Sequence, residues 1–432
     1  MLLYIALFVF VLSLVNLLRL VFFSVAGDIY DIRDIRNRKE GGCQSNGYFS
    51  KRYNPLITVV VPAHNEQRTL KRNLLSIADN SYKNVELIIA NDTSDDKTGQ
   101  IAQNFQRQYK KRFKKITVLN VNVRGKARAM NEALKYAHGS LFMCLDADST
   151  LDKNALSEAV YCFREKNLGS LASNVKIIPS RGALNLIQRI EYLTCHQMKK
   201  AETVARSQYI VGGIGSMYRM RILRKLNYYD TNTITEDIDL SMKMLEHYGR
   251  SKFIGFNPKM IAFTEAVVSV SDLINQRSRW KYGRYQVFLK RKGLFYSRNK
   301  SHGKVLSWIY LPYALFGELA FATEPLTIGL IFYLVYEYND YSMIIGAVLT
   351  FCFYTIIQVA GASQSYSLKE RAKLSAFAPL AYIFMYILTF VEYVATIRGF
   401  LSIWKLIKEY RTGESGCEWT HVERSGSEAA AS

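Results

Sequence analysis

Two aspartates one residue apart, Asp146 and Asp148, close a short apolar run. A D-x-D pair on a turn can present both carboxylates to one hard cation. Mg²⁺ or Mn²⁺ held by a carboxylate and two phosphate oxygens fits that spacing. Alone, the pair could equally be a solvated loop or a helix cap. It has company. Pro62-Ala63-His64-Asn65-Glu66 and Asn91-Asp92-Thr93-Ser94-Asp95-Asp96 each follow another apolar run. Arg124-Gly125-Lys126 puts a cation where a helix begins, and the free backbone N–H groups of a helix start also suit a diphosphate. A solvated basic helix start is the plainer reading of that motif taken by itself. Further on, Thr235-Glu236-Asp237-Ile238-Asp239 sets three carboxylates in five residues, and Gln276-Arg277-Ser278-Arg279-Trp280 lies in a basic, aromatic segment. As bare composition, the first is a helix start favoured by the dipole and the second a snorkelling interfacial helix.

The segments between these motifs must position them. The patterning predicts strands over 57–61, 85–90, 116–121 and 140–145, with Pro62 ending the first, and helices over 68–80, 96–109 and 126–137. Strands alternating with helices at this spacing imply an α/β fold, a parallel sheet covered on both faces. Ligands collect at the carboxyl ends of such strands. Pro62, Asn65, Glu66, Asp92 and Asp146 all fall there. No G-x-G-x-x-G follows the first strand and no G-x-x-x-x-G-K-[ST] occurs, which disfavours a Rossmann dehydrogenase and a P-loop NTPase.

The chain has 432 residues, a net charge of +21 and 49% hydrophobic residues. That balance excludes a disordered acidic protein and a small disulfide scaffold. The basic excess suggests either nucleic acid or the cytoplasmic face of a membrane protein. The apolar stretches 2–25 and 305–404 favour the membrane, and basic residues facing an anionic leaflet remove the need for nucleic acid. The six cysteines form no C-x-x-C pair and no zinc spacing, as expected for a reducing compartment. Residues 2–25 carry one charge, Arg19, and lack the basic start of a signal peptide; they predict an uncleaved anchor with its N-terminus outside, because Arg33, Arg36, Arg38 and Lys39 follow it. Residues 305–336 would make a rod about 50 Å long, too long for one span, and Pro312 and Pro325 predict a break. Further spans are expected over 343–361 and 377–396. The basic runs 369–373 and 405–411 both ask to be inside, and three spans cannot satisfy both, so either the segment from 305 holds a hairpin or the end turns back. Glu318, Glu324 and Glu392 sit in apolar stretches, where an ionisable group is a candidate to line a conduit or lies at a helix end.

V-V-V-P-A-H-N-E, N-D-T-S-D-D, G-K-A-R-A-M-N, D-A-D, T-E-D and Q-R-S-R-W, in this order, resemble the membrane-embedded processive glycosyltransferases of family 2, which include cellulose, chitin, hyaluronan and poly-N-acetylglucosamine synthases. The resemblance covers residues 57–280 and implies a GT-A nucleotide-sugar-binding domain between N-terminal and C-terminal transmembrane helices. It implies that Asp92 holds uracil, Lys126 the phosphates, Asp146 the ribose and, with Asp148, the Mg²⁺ or Mn²⁺ site. Pro62, Asn65 and Glu66 would line the donor pocket. Asp237, beside Glu236, would be the general base; Gln276, Arg279 and Trp280 would serve the leaving UDP and the acceptor sugar. Hyaluronan and chitin-oligosaccharide synthases usually carry G-D-D-R or G-E-D-R where this chain has Thr235-Glu236-Asp237. Cellulose synthases share T-E-D but commonly append a cyclic-dinucleotide-binding barrel, for which the residues after Ile407 are too few. The T-E-D-I-D run and the tail with Trp419 and Glu423-Arg424-Ser425-Gly426 most resemble bacterial poly-β-1,6-N-acetylglucosamine synthases, although those often have two N-terminal spans.

The resemblance thus implies a multi-pass enzyme of the cell membrane that polymerises N-acetylglucosamine from UDP-N-acetylglucosamine and exports the product. Its partners would be the UDP-sugar donor, the growing polysaccharide and the bilayer, with room for a small membrane accessory subunit and no nucleic acid. The expected division is an anchor (1–25), a cytoplasmic transferase domain (26–303) with an interfacial segment around 271–303, C-terminal transmembrane or interfacial helices (304–409) and a polar tail (410–432). A different class, a transport or scaffold subunit with a dead transferase domain, would be expected to lack Asp148, Asp237 or the Arg279-Trp280 pair; all are present. A non-processive transferase is disfavoured by Q-x-x-R-W.

Overall fold

The computed structural model describes residues 2–39, 53–322, 324–362 and 364–412. Cys43, Cys417 and the tail motif around Trp419 lie outside the described residues. A long helix, α1 (Leu2–Lys39), comes first. Then follow β1 (Ile57–Ala63), α2 (Leu70–Ala78), β2 (Val85–Asp92), α3 (Thr98–Tyr109), β3 (Lys115–Val121), α4 (Lys126–Leu134), β4 (Leu141–Cys144), β5 (Thr150–Leu151), α5 (Ala155–Cys162) and β6 (Leu168–Ile177). The middle of the chain supplies α6 (Ala183–Ala205), β7 (Ser216–Arg219), α7 (Met220–Lys225), α8 (Glu236–Tyr248), β8 (Phe253–Thr264) and α9 (Val270–Lys290). The C-terminal part is helical: α10 (Leu311–Ala322), α11 (Glu324–Tyr338), α12 (Ser342–Gly361), α13 (Leu368–Ala376), α14 (Ala378–Leu401) and α15 (Ile403–Thr412).

The strands form one sheet in the order β3-β2-β1-β4-β7-β6-β8-β5. Its first four strands are parallel, as their unbroken apolar runs require for burial on both faces. Val59 and Val61 pack with α2 and α3 on one side, while Val60 packs with α4 and α8 on the other, the alternation that a strand imposes. The expectation of a parallel sheet fails beyond β4. Strand β7 runs antiparallel to both β4 and β6, and β5 antiparallel to β8, so the sheet is mixed. Strand β1 also continues through Pro62, which the sequence reading made its end. Val60 faces β4, since Leu145 N–H donates to its carbonyl, so Pro62, two residues on, faces the same way. The β1–β4 pairing stops at Val60 and Cys144, and no ladder bond is lost by the missing proline N–H.

Strand order reverses at β1: the chain steps outward from it to β2 and β3, then returns to β4 on its other side. The crevice at such a reversal is where α/β sheets bind ligands. Asn65 leaves β1 and Asp146 leaves β4 at this point.

In the stretch 305–336 a π-helical turn (Val305–Tyr310) leads into α10, and Pro325 falls within α11. Among the described residues two helices, within α12 and α14, are long and apolar enough to cross a membrane. The anchor expected over 2–25 is helical but runs on to Lys39, and its second half lies against the α/β domain. Tyr30 Oη donates to the Phe256 carbonyl (2.8 Å), and Arg38 pairs with Glu158 (2.6 Å). Gln197 of α6 fills the space that side chains at Gly27 and Gly361 would take, so α1, α6 and α12 meet closely. Beside that crossing the fully buried Lys200 ammonium pairs with Asp31 at 2.8 Å, and Gln364 holds the other Asp31 oxygen at 2.7 Å. Removing the carboxylate strands a buried charge, a change that typically costs about 3–5 kcal/mol. Asp31→Ala should therefore lower the unfolding midpoint in detergent clearly, while Asp28→Ala, at an exposed position on the same helix, leaves it near wild type. Equal midpoints would remove this ion pair from the supports of the fold.

Candidate active site

The loops at the carboxyl ends of β1 and β2 are laced together. Asn65, with φ 56°, donates its N–H to Ser94 Oγ (3.0 Å), and its own Oδ1 accepts from Asp95 N–H (2.9 Å). Glu66 N–H donates to Thr98 Oγ1 (2.8 Å), while the Glu66 carboxylate takes the Thr69 hydroxyl. Asn65 and Glu66 thus shape the rim rather than project alone. Asp92, at the end of β2, is buried. Its carboxylate accepts from the N–H groups of Val123 (3.1 Å), Arg124 (3.1 Å) and Gly125 (2.8 Å). Arg124 (φ 46°) and Gly125 (φ 147°) make a left-handed turn that suits glycine at its second position and starts α4 at Lys126. Asp92 is the clamp on that turn.

Lys126 reaches back across the crevice. Its ammonium lies 2.7 Å from Asp146 and 3.1 Å from Glu236, so the D-A-D and T-E-D motifs meet at one cation. Burial alone would pull the Lys126 pKa down; Asp146 and Glu236 outweigh it and hold the ammonium well above its ordinary value. Asp237, on the first turn of α8, accepts from Ile238 N–H (2.9 Å). Burial and the neighbouring Glu236 push its pKa up to about 6, against the opposing pull of Lys126. A side chain at Gly213 would sit 2.9 Å from the Lys126 ammonium, 3.6 Å from Asp237 and 3.9 Å from Asp146. The absence of one there keeps the centre of the cluster open.

Asn73 of α2 donates to the carbonyls of Asp146 (2.8 Å) and Ser149 (2.6 Å), which fixes the D-x-D turn. Asp148 is half-buried on that turn and takes the Ser149 hydroxyl at 2.7 Å. Among the described residues no group of three or more His, Cys, Asp or Glu could hold a metal ion. The donor set is nonetheless carboxylate oxygen, the kind Mg²⁺ and Mn²⁺ prefer. A cation, Lys126, already bridges Asp146 and Glu236. The residues fit a dication whose remaining ligands come from a substrate.

Helix α9 closes the site from behind α8. A side chain at Gly283 would meet Thr235 at 2.4 Å, so the glycine allows α9 to touch the residue just before Glu236 and Asp237. Gln286 receives the Ile234 N–H (3.0 Å). Lys290 and Arg291 both pair with the fully buried Asp239, at 2.7 and 2.8 Å. The third carboxylate of T-E-D-I-D is therefore a fastener for α8, with no oxygen left over for proton transfer. Gln276 is buried, Arg279 is exposed, and Trp280 lies under the Arg277 guanidinium, 4.4 Å from the ring centre. The structure joins Lys126, Asp146, Glu236 and Asp237 directly; Gln276, Arg279 and Trp280 stand on the helix behind them.

The sequence reading missed Gly213, Gly283 and Asn73. The V-G-G-I-G run over 211–215 was a signal for the first. An isolated glycine in a helical pattern was the only signal for the second. Asn73 lies on the helix after β1 with nothing in its neighbourhood to mark it.

Residues 58–226 match the family described as glycosyl transferase family 2. The chain is 32% identical over 239 residues to a poly-β-1,6-N-acetyl-D-glucosamine synthase of Staphylococcus epidermidis, which covers 54% of this chain and 56% of that one. A synthase of the same name from Staphylococcus aureus is 30% identical over 238 residues, with the same coverage. The chain spans about half the length of the curated relatives it matches. Among solved structures, a mannosyltransferase from Pyrobaculum calidifontis, in complex with GDP-Man and Mn²⁺, superposes with a TM-score of 0.55 at 17% identity, over 89% of this chain and 99% of that one. That likeness is one of fold, and it agrees with the expected GT-A-like α/β sheet. The stretch that carries the sheet reversal, Lys126 and Asp146 is the part that matches the glycosyl transferase family 2 model.

Proposed function

We propose that the chain is an inverting, processive glycosyltransferase that builds a β-linked N-acetylglucosamine polymer from UDP-N-acetylglucosamine at a membrane and passes it across. The observation that carries the chemistry is the cluster of Lys126, Asp146, Glu236 and Asp237, with the Asp237 pKa held near 6. A carboxylate tuned there is ionised at neutral pH yet basic enough to take a proton. The relatives named poly-β-1,6-N-acetyl-D-glucosamine synthase support the sugar and the linkage.

In this reading the acceptor hydroxyl approaches Asp237. Its O–H bond breaks to the Asp237 carboxylate as its oxygen bonds to the anomeric carbon, and the sugar–phosphate bond breaks to release UDP. One displacement inverts the centre. Lys126 moves from the carboxylates to the diphosphate when donor arrives, and Arg279 offsets charge on the leaving UDP. Asp92 holds the turn that presents Lys126 and borders the uracil, with Pro62, Asn65 and Glu66 forming the rim. Asp146 and Asp148 would hold Mg²⁺ or Mn²⁺, which supplies further neutralisation of phosphate charge. Trp280 offers a ring face to the acceptor, with Gln276 on the same turn of α9. Helices α1, α12 and α14 would cross the bilayer with the catalytic domain in the cytoplasm. A sugar chain cannot cross hydrocarbon without partners for its hydroxyls, and half-buried Tyr310 and Tyr313 are the residues suited to line a path.

Four outcomes are expected. Purified protein given a panel of UDP-sugars should release UDP fastest from UDP-N-acetylglucosamine, and only with Mg²⁺ or Mn²⁺; undiminished turnover in EDTA would remove the D-x-D metal assignment. Asp237→Asn should retain donor binding and lose about 10²–10⁴ in rate, the usual scale of a general base. Because the ionised carboxylate is the active form, wild-type turnover should fall about tenfold per unit as pH drops below about 6 and level off above it. A flat profile from pH 5 to 8 would reassign the base. In sealed vesicles with donor outside, polymer should become resistant to an added glycanase; full digestion at normal turnover would place export elsewhere.

A further inference from the structure

Helix α9 has two working faces. At 3.6 residues per turn, positions 279, 283, 286 and 290 fall within roughly 60° of one another. Three of them touch the α8 region: Gly283 against Thr235, Gln286 on Ile234 and Lys290 on Asp239. Arg279 shares this stripe, one turn nearer the start of the helix. The opposite face carries Arg277, Lys281 and Arg284. Each of these is engaged by carboxylates of other helices. Glu318 of α10 is buried and takes Lys281 at 2.5 Å, Arg284 at 2.7 Å and the Tyr285 hydroxyl at 3.0 Å. Glu392 of α14 takes Lys281 at 3.2 Å and Arg277 at 3.4 Å, and Glu191 of α6 takes Arg277 at 2.8 Å. Glu318 and Glu392, which the sequence reading offered as conduit residues, are thus committed to α9; the side chain of Glu324 lies outside the described residues.

The two faces make α9 a rigid link between the apolar helices and the stretch that carries Asp237. Glu318 is its best-placed anchor. It holds three donors spread over a turn of α9, so it fixes both the rotation and the height of the helix. A shift of α10 that moved Glu318 would turn Gly283 against Thr235, where no clearance exists, and would carry Arg279 with it. Helix α9 therefore cannot follow the apolar helices without disturbing the catalytic cluster.

We infer that Glu318 is a positioning residue that couples the packing of the apolar helices to the acceptor side of the active site, so that elongation, rather than donor binding, depends on it. This rests on the proposed polymerising activity. Sugar addition to a growing chain requires the acceptor end to be re-seated each cycle. An α9 loosened from α10 would seat it poorly while leaving the donor crevice at β1, β2 and β4 intact.

The test compares Glu318→Gln with wild type in lipid nanodiscs, with Glu337→Gln, at an exposed position on α11, as the control. Glu318→Gln should lower mean product length and elongation rate about five- to a hundredfold, the usual range of an inter-site coupling, with the KM for UDP-N-acetylglucosamine within about twofold. Adding Arg284→Gln to Glu318→Gln should change little more, as expected for partners in one interaction. Hydrogen exchange gives a readout free of activity: Glu318→Gln should speed exchange over 232–239 and leave β1, β2 and β3 as protected as in wild type. Slower exchange, unchanged exchange, or loss of protection throughout the sheet would overturn the inference. So would a raised donor KM with normal product length. If wild-type protein turned over no UDP-sugar, the proposed function would fall, and the exchange measurement alone would decide whether Glu318 governs the 232–239 stretch.

Discussion

Three carboxylates, Asp146, Glu236 and Asp237, share one largely buried crevice, and the charge that faces them there is the Lys126 ammonium. Their mutual repulsion grows as water is excluded, and a single cation at hydrogen-bond distance from two of them offsets it. Much of the surrounding architecture can be traced to this constraint. The Asp92 clamp holds the turn that starts α4 at Lys126, which spans the gap. Gly213 leaves the ammonium its place. Helix α8 must enter with its acidic first turn toward the same point, which also satisfies its dipole. In the function proposed above, a donor diphosphate that drew Lys126 away would leave the carboxylates uncompensated, and Asp146 and Asp148 would hold a dication able to offset them. On that proposal substrate and metal would be coupled through one side chain.

How much of this was legible depended on the distance over which each interaction acts. Strands β1 to β4 and the helices between them were readable within a few residues, because each is a local apolar run closed by turn residues. Strand β7 was not. Its four residues pair with β4, some 75 positions earlier, and with a bulged β6, and no periodicity announces such a partner. The candidate site followed the same rule. Asp146, Glu236, Asp237 and Lys126 were found from motifs, and the structure brings them together. Asp239 was read as one more carboxylate of the same run, whereas its role is fixed by Lys290 and Arg291, about fifty residues away.

Glu318 and Glu392 show why a carboxylate in an apolar stretch is ambiguous on sequence alone. Each looked costly, and the cost pointed to function. The compensating charges lie on α9, 34 and 37 residues before Glu318, in a segment that seemed basic for the sake of a lipid surface. Part of the +21 net charge is thus spoken for inside the protein. The glycines were illegible for another reason. Gly283 and Gly361 matter through what lies against them, Thr235 and Gln197, and a helical pattern records only which face a residue occupies.

The docking of α1 sets an order of events during synthesis. This helix is made first, yet the groups that hold its second half come late: Phe256 accepts from Tyr30 across 226 residues, and Gln364 reaches Asp31 across 333. At roughly 10 residues per second, the last of these contacts becomes available on the order of half a minute after the helix itself. Arg38 and Asp31 meet Glu158 and Lys200 earlier, 120 and 169 residues on, so Gln364 completes a contact already begun. The α/β sheet lies wholly between those two ends and can close before they meet. The sheet can therefore close before Gln364 is made, and the Gln364–Asp31 bond is added to a helix that Glu158, Lys200 and Phe256 can already hold.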